Sequence, residues 1–430
     1  MIVLGVLLLA SSLALSDALP HRARSKKDPR LSASNRALNL FATCCSDHEC
    51  KELHFSDLLS GLYNYAALSK EAAPKTYYRT LEIAHECNIQ PTLRQKLQAL
   101  RQSCPTNTNG PCVVQRVILE FQAKRWNVVV RDDPATPTLP ALNVSLERYL
   151  TASNHWSPID SFSIVTDDQH PTAPQMSQPS AATLDHALVI GWAARRSGHG
   201  ATGWSSLQEL LKHINRIRPH YQRHLVGLVG VVGDDDGGAS TGLHVGQVEA
   251  NGDISTSAVR DLVWMAMHVV YVVSEFGLWA VRYEEVVPEV KFLNSIIPHA
   301  MATNDADMLG EVLDCLNAVH VEEVGGGGGG GGMGNGGRRR NTRQRDRVLF
   351  NVDSGLEFLV ANQGFDGSFS EREHNPEYWH TVHVAGLALL PRPRQRPVST
   401  VEVHIGNEEF WQTASAIIPP LSVLKERIEL

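Results

Sequence analysis

This sequence of 430 residues contains little strand-like alternation. It also has no excess of positive charge and no phosphate-binding loop. The scarcity of alternating apolar and polar residues argues against a large β-sheet and predicts an all-α fold. Because the net charge is −7, the chain has no general attraction for nucleic acid or anionic lipid. No sequence of the form GxxxxGK[ST] occurs, which argues against a P-loop nucleotide-binding protein.

Long apolar runs are also scarce, and the longest internal one covers residues 262–281, "LVWMAMHVVYVVSEFGLWAV". His268 and Glu275 stand seven residues apart in it and therefore lie on one face of a helix. A single polar face on an apolar helix favours an inner helix of a large helical domain. We therefore expect no stable membrane span, with a membrane anchor as the alternative interpretation.

The apolar run at the N-terminus predicts a secreted protein. Residues 1–18 have the length and composition of a signal peptide, and Ser16 and Ala18 are the small residues that a signal peptidase accepts. Residues 19–30 then form a polar leader or propeptide. Asn143 begins the sequon Asn-Val-Ser, and we predict that it is glycosylated. We expect the mature protein outside the cell or in the lumen of the secretory pathway.

The cysteines are clustered near the N-terminus. Six of the seven lie within 69 residues, namely Cys44, Cys45, Cys50, Cys87, Cys104 and Cys112. An even number of cysteines behind a signal peptide predicts three disulfides, whose pairing cannot be read from the sequence. A metal cluster of Cys44, Cys45, His48 and Cys50 is the alternative, which is disfavoured because adjacent cysteines do not easily reach one ion.

Helical periodicity divides the chain into segments. Residues 31–130 are predicted to be a disulfide-containing helical region, and residues 131–180 a proline-rich linker with one short helix. Residues 181–390 show consecutive helices that suggest a repeated helical-hairpin domain. Its residues 325–347 are glycine- and arginine-rich and predict a disordered insertion. Residues 391–430 form a C-terminal tail.

Three predicted helices place polar side chains in an apolar context. The candidate residues are His268 on the first helix, Glu311 and Cys315 on the second, and His380 and His383 on the third. Imidazole, carboxylate and thiolate are the ligands that zinc accepts, so a converging set predicts a zinc site. The alternatives are hydrogen-bonded core histidines and a solvated carboxylate face.

The same residues also suggest catalysis. Glu311 is a candidate metal ligand or acid, and His383 or His380 a candidate ligand or base. Burial in an apolar cavity would also protonate Asp307 or Asp314 and make either one an acid catalyst. Nothing in the spacing along the chain shows that the three helices converge.

The stretch "GLEFLVANQGFDGSF" followed by "YWHTVHVAGLALL", residues 355–390, resembles the terpenoid cyclase and protein prenyltransferase α/α-toroid superfamily. In that repeat an outer helix ends in a glutamine, here Gln363, and an Asp-Gly-Ser turn leads to an inner helix. The resemblance covers about residues 255–390 and implies an α/α-toroid-like domain. It also implies that His380 occupies a zinc-ligand position, with His383 one turn deeper.

The chain departs from the superfamily in two motifs. The DxDD acid motif of squalene cyclases is absent, and Asp314 and Cys315 are adjacent, whereas the prenyltransferase ligands are separated by one residue. Two functions therefore remain open. One is a metal-dependent enzyme acting on an apolar or isoprenoid-like substrate. The other is a non-catalytic secreted module that binds a small apolar ligand or a protein partner, as secreted toroids do for cobalamin and in complement.

Overall fold

A computed structural model describes residues 28–103, 110–130, 181–197, 257–321, 351–370, 378–392, 397–398 and 407–420. Within these ranges the chain forms thirteen α-helices. They are α1 (Pro29–Ser46), α2 (His48–Leu53), α3 (Phe55–Ala72), α4 (Pro74–Glu86), α5 (Ile89–Ser103), α6 (Gly110–Arg125), α7 (Ala181–Ser197), α8 (Ser257–Val273), α9 (Val287–Ala302), α10 (Ala306–Asn317), α11 (Val352–Asn362), α12 (Tyr378–Ala388) and α13 (Asn407–Ser415).

Strands are few and short in the described residues. The strands β1 (Ala280–Arg282), β2 (Val319–His320) and β3 (Pro397–Val398) form one parallel sheet in the order β2-β1-β3. A 3₁₀ turn at Tyr283–Glu285 leads from β1 into α9. The prediction of an all-α fold is therefore confirmed.

Local sequence explains several helix starts. The side chain of Asp28 accepts a hydrogen bond from the backbone N–H of Arg30, and a proline opens the first turn of α1. Asp305 caps α10 by accepting from the N–H of Met308. These caps satisfy backbone donors that have no partner inside the helix.

Six helices form a closed ring. Each of the six contacts the next in the order α3, α6, α7, α8, α10 and α12, and α12 packs against α3 to close the ring. The helices α4, α5, α9 and α11 pack against members of this ring. The Cys-rich helical region and the helices from residue 257 onward share one hydrophobic core. The expected α/α-toroid architecture and membership of that superfamily stay predictions.

The glutamine turn after α11 packs against α1. The amide of Gln363 donates to the carbonyl oxygens of Ala33 and Gly367, both at 3.0 Å, and its Oε1 accepts from Arg36 at 2.6 Å. Gly367 has φ +102°, and a Cβ there would lie 2.5 Å from the carbonyl oxygen of Arg36. The turn therefore requires glycine at this position, because a side chain would collide with α1.

The helix predicted to continue to residue 281 ends at Val273. The next residues include Glu275, Phe276 and Gly277, with φ values of 52°, 56° and 80°. The backbone N–H of Phe276 donates to the carbonyl of Tyr271 at 2.6 Å, which closes the helix end. Within the described part of the chain, no helix combines the length and apolarity needed to cross a bilayer.

Two disulfides hold α1 to its neighbours. Cys44 pairs with Cys50 on α2, and Cys45 pairs with Cys87 at the end of α4. The prediction of disulfides in the N-terminal helical region is confirmed for these four cysteines. Cys104 and the side chain of Cys112 lie outside the described residues, as do residues 1–18, Asn143 and the insertion at 325–347.

Candidate functional site

The ring of helices encloses a cavity of about 250 Å³. Every helix of the ring contributes to its wall, whereas α4, α5, α9 and α11 contribute nothing. Its polar and charged lining residues are Ser60, Asn64, Gln122, Arg125, His268, Tyr271, Glu311, Asp314, His380, His383 and Arg392. Four of the five residues predicted from the sequence, all but Cys315, therefore line one cavity.

Aromatic side chains form one wall of the cavity. The ring centroid of Trp192 lies 4.4 Å from that of Phe276 and 4.5 Å from that of Phe121. Phe276 also stacks on Tyr271 at 5.6 Å. The left-handed turn after α8 places Phe276 here, and its neighbour Glu275 accepts from Trp192 Nε1 at 2.6 Å. An ion pair with Arg196 further secures this buried carboxylate.

A second wall is the contact of α10 with α12, which approach closely at Gly310. A Cβ on Gly310 would lie 2.6 Å from the backbone nitrogen of Ala385. This close approach brings the carboxylates of α10 to the histidines of α12. His380 Nδ1 lies 2.9 Å from Asp307 Oδ1, and His380 Nε2 lies 3.5 Å from Glu311 Oε1.

The surrounding carboxylates determine the charge of His380. Burial opposes protonation, but the hydrogen bond to Asp307 and the charge of Glu311 prevail and raise the pKa of His380 to about 10. The same hydrogen bond, with one from Thr381 at 3.0 Å, lowers the pKa of Asp307 despite its burial. Burial raises the pKa of the nearby Asp57. At neutral pH His380 is an imidazolium that donates to Asp307.

His383 has the opposite environment. It is 6% exposed, its ring meets Phe41 edge-on at 6.4 Å, and neither ring nitrogen has a hydrogen-bond partner among the described residues. Burial, followed by the positive charge of His380, lowers its pKa to about 3. His383 is therefore a neutral imidazole on the cavity wall, with an unused donor and an unused acceptor.

Asp314, a candidate acid in the sequence, forms a third polar group with Tyr271 and Arg392, which the sequence did not predict. Arg392 forms an ion pair with its carboxylate and donates to its backbone carbonyl at 2.9 Å. The hydroxyl of Tyr271 donates to Asp314 Oδ2 at 3.0 Å. Burial raises the pKa of Asp314, although Arg392 opposes this effect. Arg392 lies in residues 391–430, which were predicted to be a C-terminal tail, so no helical periodicity indicated that it lines a cavity.

Arg125 is a further charged residue of the cavity that the sequence did not predict. It is 3% exposed, and its guanidinium lies 3.7 Å from the ring centroid of Tyr63. Its guanidinium donates to Asn64 Oδ1 at 3.2 Å, and its Nε–H has no acceptor among the described residues. Burial lowers its pKa. In the sequence, this arginine reads as an ordinary basic residue in the last turn of a helix.

The proposed zinc ligands do not all converge. The thiol of Cys315 points away from the cavity to the carbonyl of Met267 at 3.6 Å, and burial raises its pKa. His268 lines the cavity beside Tyr271, with ring centroids 6.1 Å apart. Within the described residues, no group of three or more His, Cys, Asp or Glu side chains is arranged to hold a metal ion. Zinc therefore stays a prediction, and no chemistry is derived through it.

Comparison with family models, curated proteins and solved structures yields no significant match to this chain.

Proposed function

We propose that the protein binds a small, mainly apolar molecule with one polar group in the ring cavity, as a secreted binding protein. The observation that carries this proposal is His383, a buried neutral imidazole whose two ring nitrogens have no partner in the described structure. An unsatisfied buried polar group costs about 1–3 kcal/mol. A ligand that hydrogen-bonds this ring would recover that energy.

The rest of the cavity wall supports such a ligand. The aromatic side chains of Phe121, Trp192 and Phe276 offer an apolar surface. Pockets with a mainly apolar lining and a few polar groups are typical of small-molecule sites. A volume of about 250 Å³ corresponds to roughly eight water molecules at ~30 Å³ each, which suits a short alkyl chain. The two disulfides support an oxidising compartment.

Isothermal titration with 1-octanol tests the proposal, because this probe has one hydroxyl and a short alkyl chain. We expect saturable binding by the wild type and its loss in Ala193→Phe, which fills the cavity. Val129→Phe adds the same ring at a position that is 76% exposed and should bind normally. Equal binding by both variants would place the ligand outside the cavity and defeat the proposal.

A second variant separates recognition from packing. His383→Leu keeps a similar volume but removes both nitrogens. We expect it to bind 1-octanol about three- to tenfold more weakly while its free energy of unfolding rises by about 1 kcal/mol. A loss of stability with unchanged binding would mean that His383 is simply a core residue.

An enzymatic function is the second candidate, and the Asp307–His380 pair favours it. The carboxylate orients the imidazolium through Nδ1, while Nε2 faces Glu311 at the cavity. We propose, as this second candidate, that His380 acts as a general acid towards a bound molecule. Mass spectrometry of bound molecules would show product with the wild type and unchanged ligand with His380→Gln. Elemental analysis of the wild type and of the His380→Ala/His383→Ala variant tests the zinc prediction in parallel.

A further inference from the structure

The cations that line the cavity differ in whether a carboxylate lies beside them. The lining contains three cationic side chains, Arg125, Arg392 and His380, and two carboxylates, Glu311 and Asp314. Arg392 forms an ion pair with Asp314, and His380 pairs with Asp307 and Glu311. Arg125 is then the lining cation for which the described residues offer no carboxylate within ion-pair distance.

A buried cation without a carboxylate is unusual. Burying a charge is costly unless it is paired and hydrogen-bonded. The described contacts of Arg125 compensate this cost only in part. They include one hydrogen bond to Asn64 and the ring faces of Tyr63 at 3.7 Å and Phe121 at 5.3 Å. Its Nε–H is buried without an acceptor.

The position of Arg125 suits a ligand with a charged head and an apolar body. It is the last residue of α6, while Phe121 and Gln122 of the same helix also line the cavity. Phe121 continues into the aromatic wall through its contact with Trp192 at 4.5 Å. An anionic group at the guanidinium would thus leave the remainder of the molecule against aromatic rings. A guanidinium binds a carboxylate through two parallel hydrogen bonds, which a hydroxyl cannot match.

We infer that the ligand of the cavity is an apolar carboxylate, whose carboxylate group binds Arg125 and whose chain lies along Phe121 and Trp192. This inference rests on the proposed function and adds the chemical class of the ligand. It assigns charge recognition to Arg125 and leaves His383 as a hydrogen-bonding partner. A neutral apolar ligand or a cationic one would leave the guanidinium uncompensated.

The test is titration of the full chain with octanoate, 1-octanol and octylamine at neutral pH. We expect the wild type to bind octanoate at least about tenfold more tightly than 1-octanol, since hydrogen bonds to charged groups are the stronger ones. Octylamine should bind more weakly than either. Arg125→Met should lower the affinity for octanoate by about tenfold or more and change the affinity for 1-octanol less than about twofold. Arg125→Lys should retain part of the preference.

Lys124→Met is the matched control, because it removes a positive charge from the neighbouring residue, which does not line the cavity. It should leave both affinities unchanged. Equal binding of octanoate and 1-octanol by the wild type would overturn the inference but leave the proposed function standing. An equal loss of both ligands in Arg125→Met would overturn it as well. Binding of none of the three probes would overturn the proposed function and the inference together.

Discussion

His380 and His383 lie one turn apart on α12, with ring centroids 6.1 Å apart, yet they hold opposite charge states at neutral pH. Asp307 and Glu311 keep His380 protonated, with a pKa of about 10. Burial and the charge of His380 keep His383 neutral, with a pKa of about 3. One helical turn thus presents a cation and a neutral imidazole to the same cavity.

This pair predicts how stability depends on pH. The folded pKa of His380 lies above the ordinary 6.5, so its stabilisation is full below pH 6.5 and is lost as the pH rises towards 10. The folded pKa of His383 lies below 6.5, so its contribution is full above pH 6.5 and is lost as the pH falls towards 3. Urea unfolding across this range should show that His380→Gln flattens the alkaline limb and His383→Leu the acid limb. Parallel profiles for the wild type and both variants would contradict these charge states.

Close packing at Gly310 predicts a strong effect of a single methyl group. Gly310→Ala should lower the free energy of unfolding by about 1–3 kcal/mol, because its Cβ would collide with the backbone of Ala385. Gly355→Ala is the matched control, since its Cβ would meet side-chain ends of Leu313 and Ile297, which can move. The gain in helix propensity, about 1 kcal/mol, should offset that contact. Chemical denaturation of both variants checks the difference, and equal effects would exclude the close helix contact as the cause.

The ion pair between Arg392 and Asp314 predicts strong coupling. Arg392→Met should lower the free energy of unfolding by about 3–5 kcal/mol, because it leaves a buried carboxylate without its cation. Asp314→Asn combined with Arg392→Met should be clearly more stable than Arg392→Met alone. A double-mutant cycle in urea measures this coupling. Additive effects of the two substitutions would show that the pair does not interact.

The disulfides predict two effects of different size. In the chain-entropy account, removing Cys45–Cys87, with a sequence separation of 42, costs about 4 kcal/mol. Removing Cys44–Cys50, with a separation of 6, costs about 2 kcal/mol. Thermal unfolding of the two paired serine variants should therefore show the larger loss for Cys45→Ser/Cys87→Ser. The reverse order would mean that strain or packing, and not loop closure, determines the stabilisation.

Much of the local structure could be predicted from the sequence because the signals are local. Apolar residues at helical spacing predicted the helices that became α1, α10, α11 and α12. Clustered cysteines behind an apolar leader predicted the disulfides. His380 and His383 were recognisable because polar side chains are unusual at the start of an apolar helix. The end of α8 at Val273 was missed, because an apolar run gives no signal where its residues turn left-handed.

The tertiary structure decided what those residues do. Asp307 meets His380 across 73 positions of the chain, and Arg392 meets Asp314 across 78. No local pattern specifies such pairs, because they depend on which helices pack together. Cys315 does not line the cavity for the same reason, because the contact of α10 with α8 turns its thiol towards Met267. The sequence by itself determined the helices, the cysteine cluster and the unusual histidines. Ring closure determined the cavity, the charge of each histidine and the burial of Arg125 at the cavity wall, because burial and charge compensation depend on residues distant in the chain.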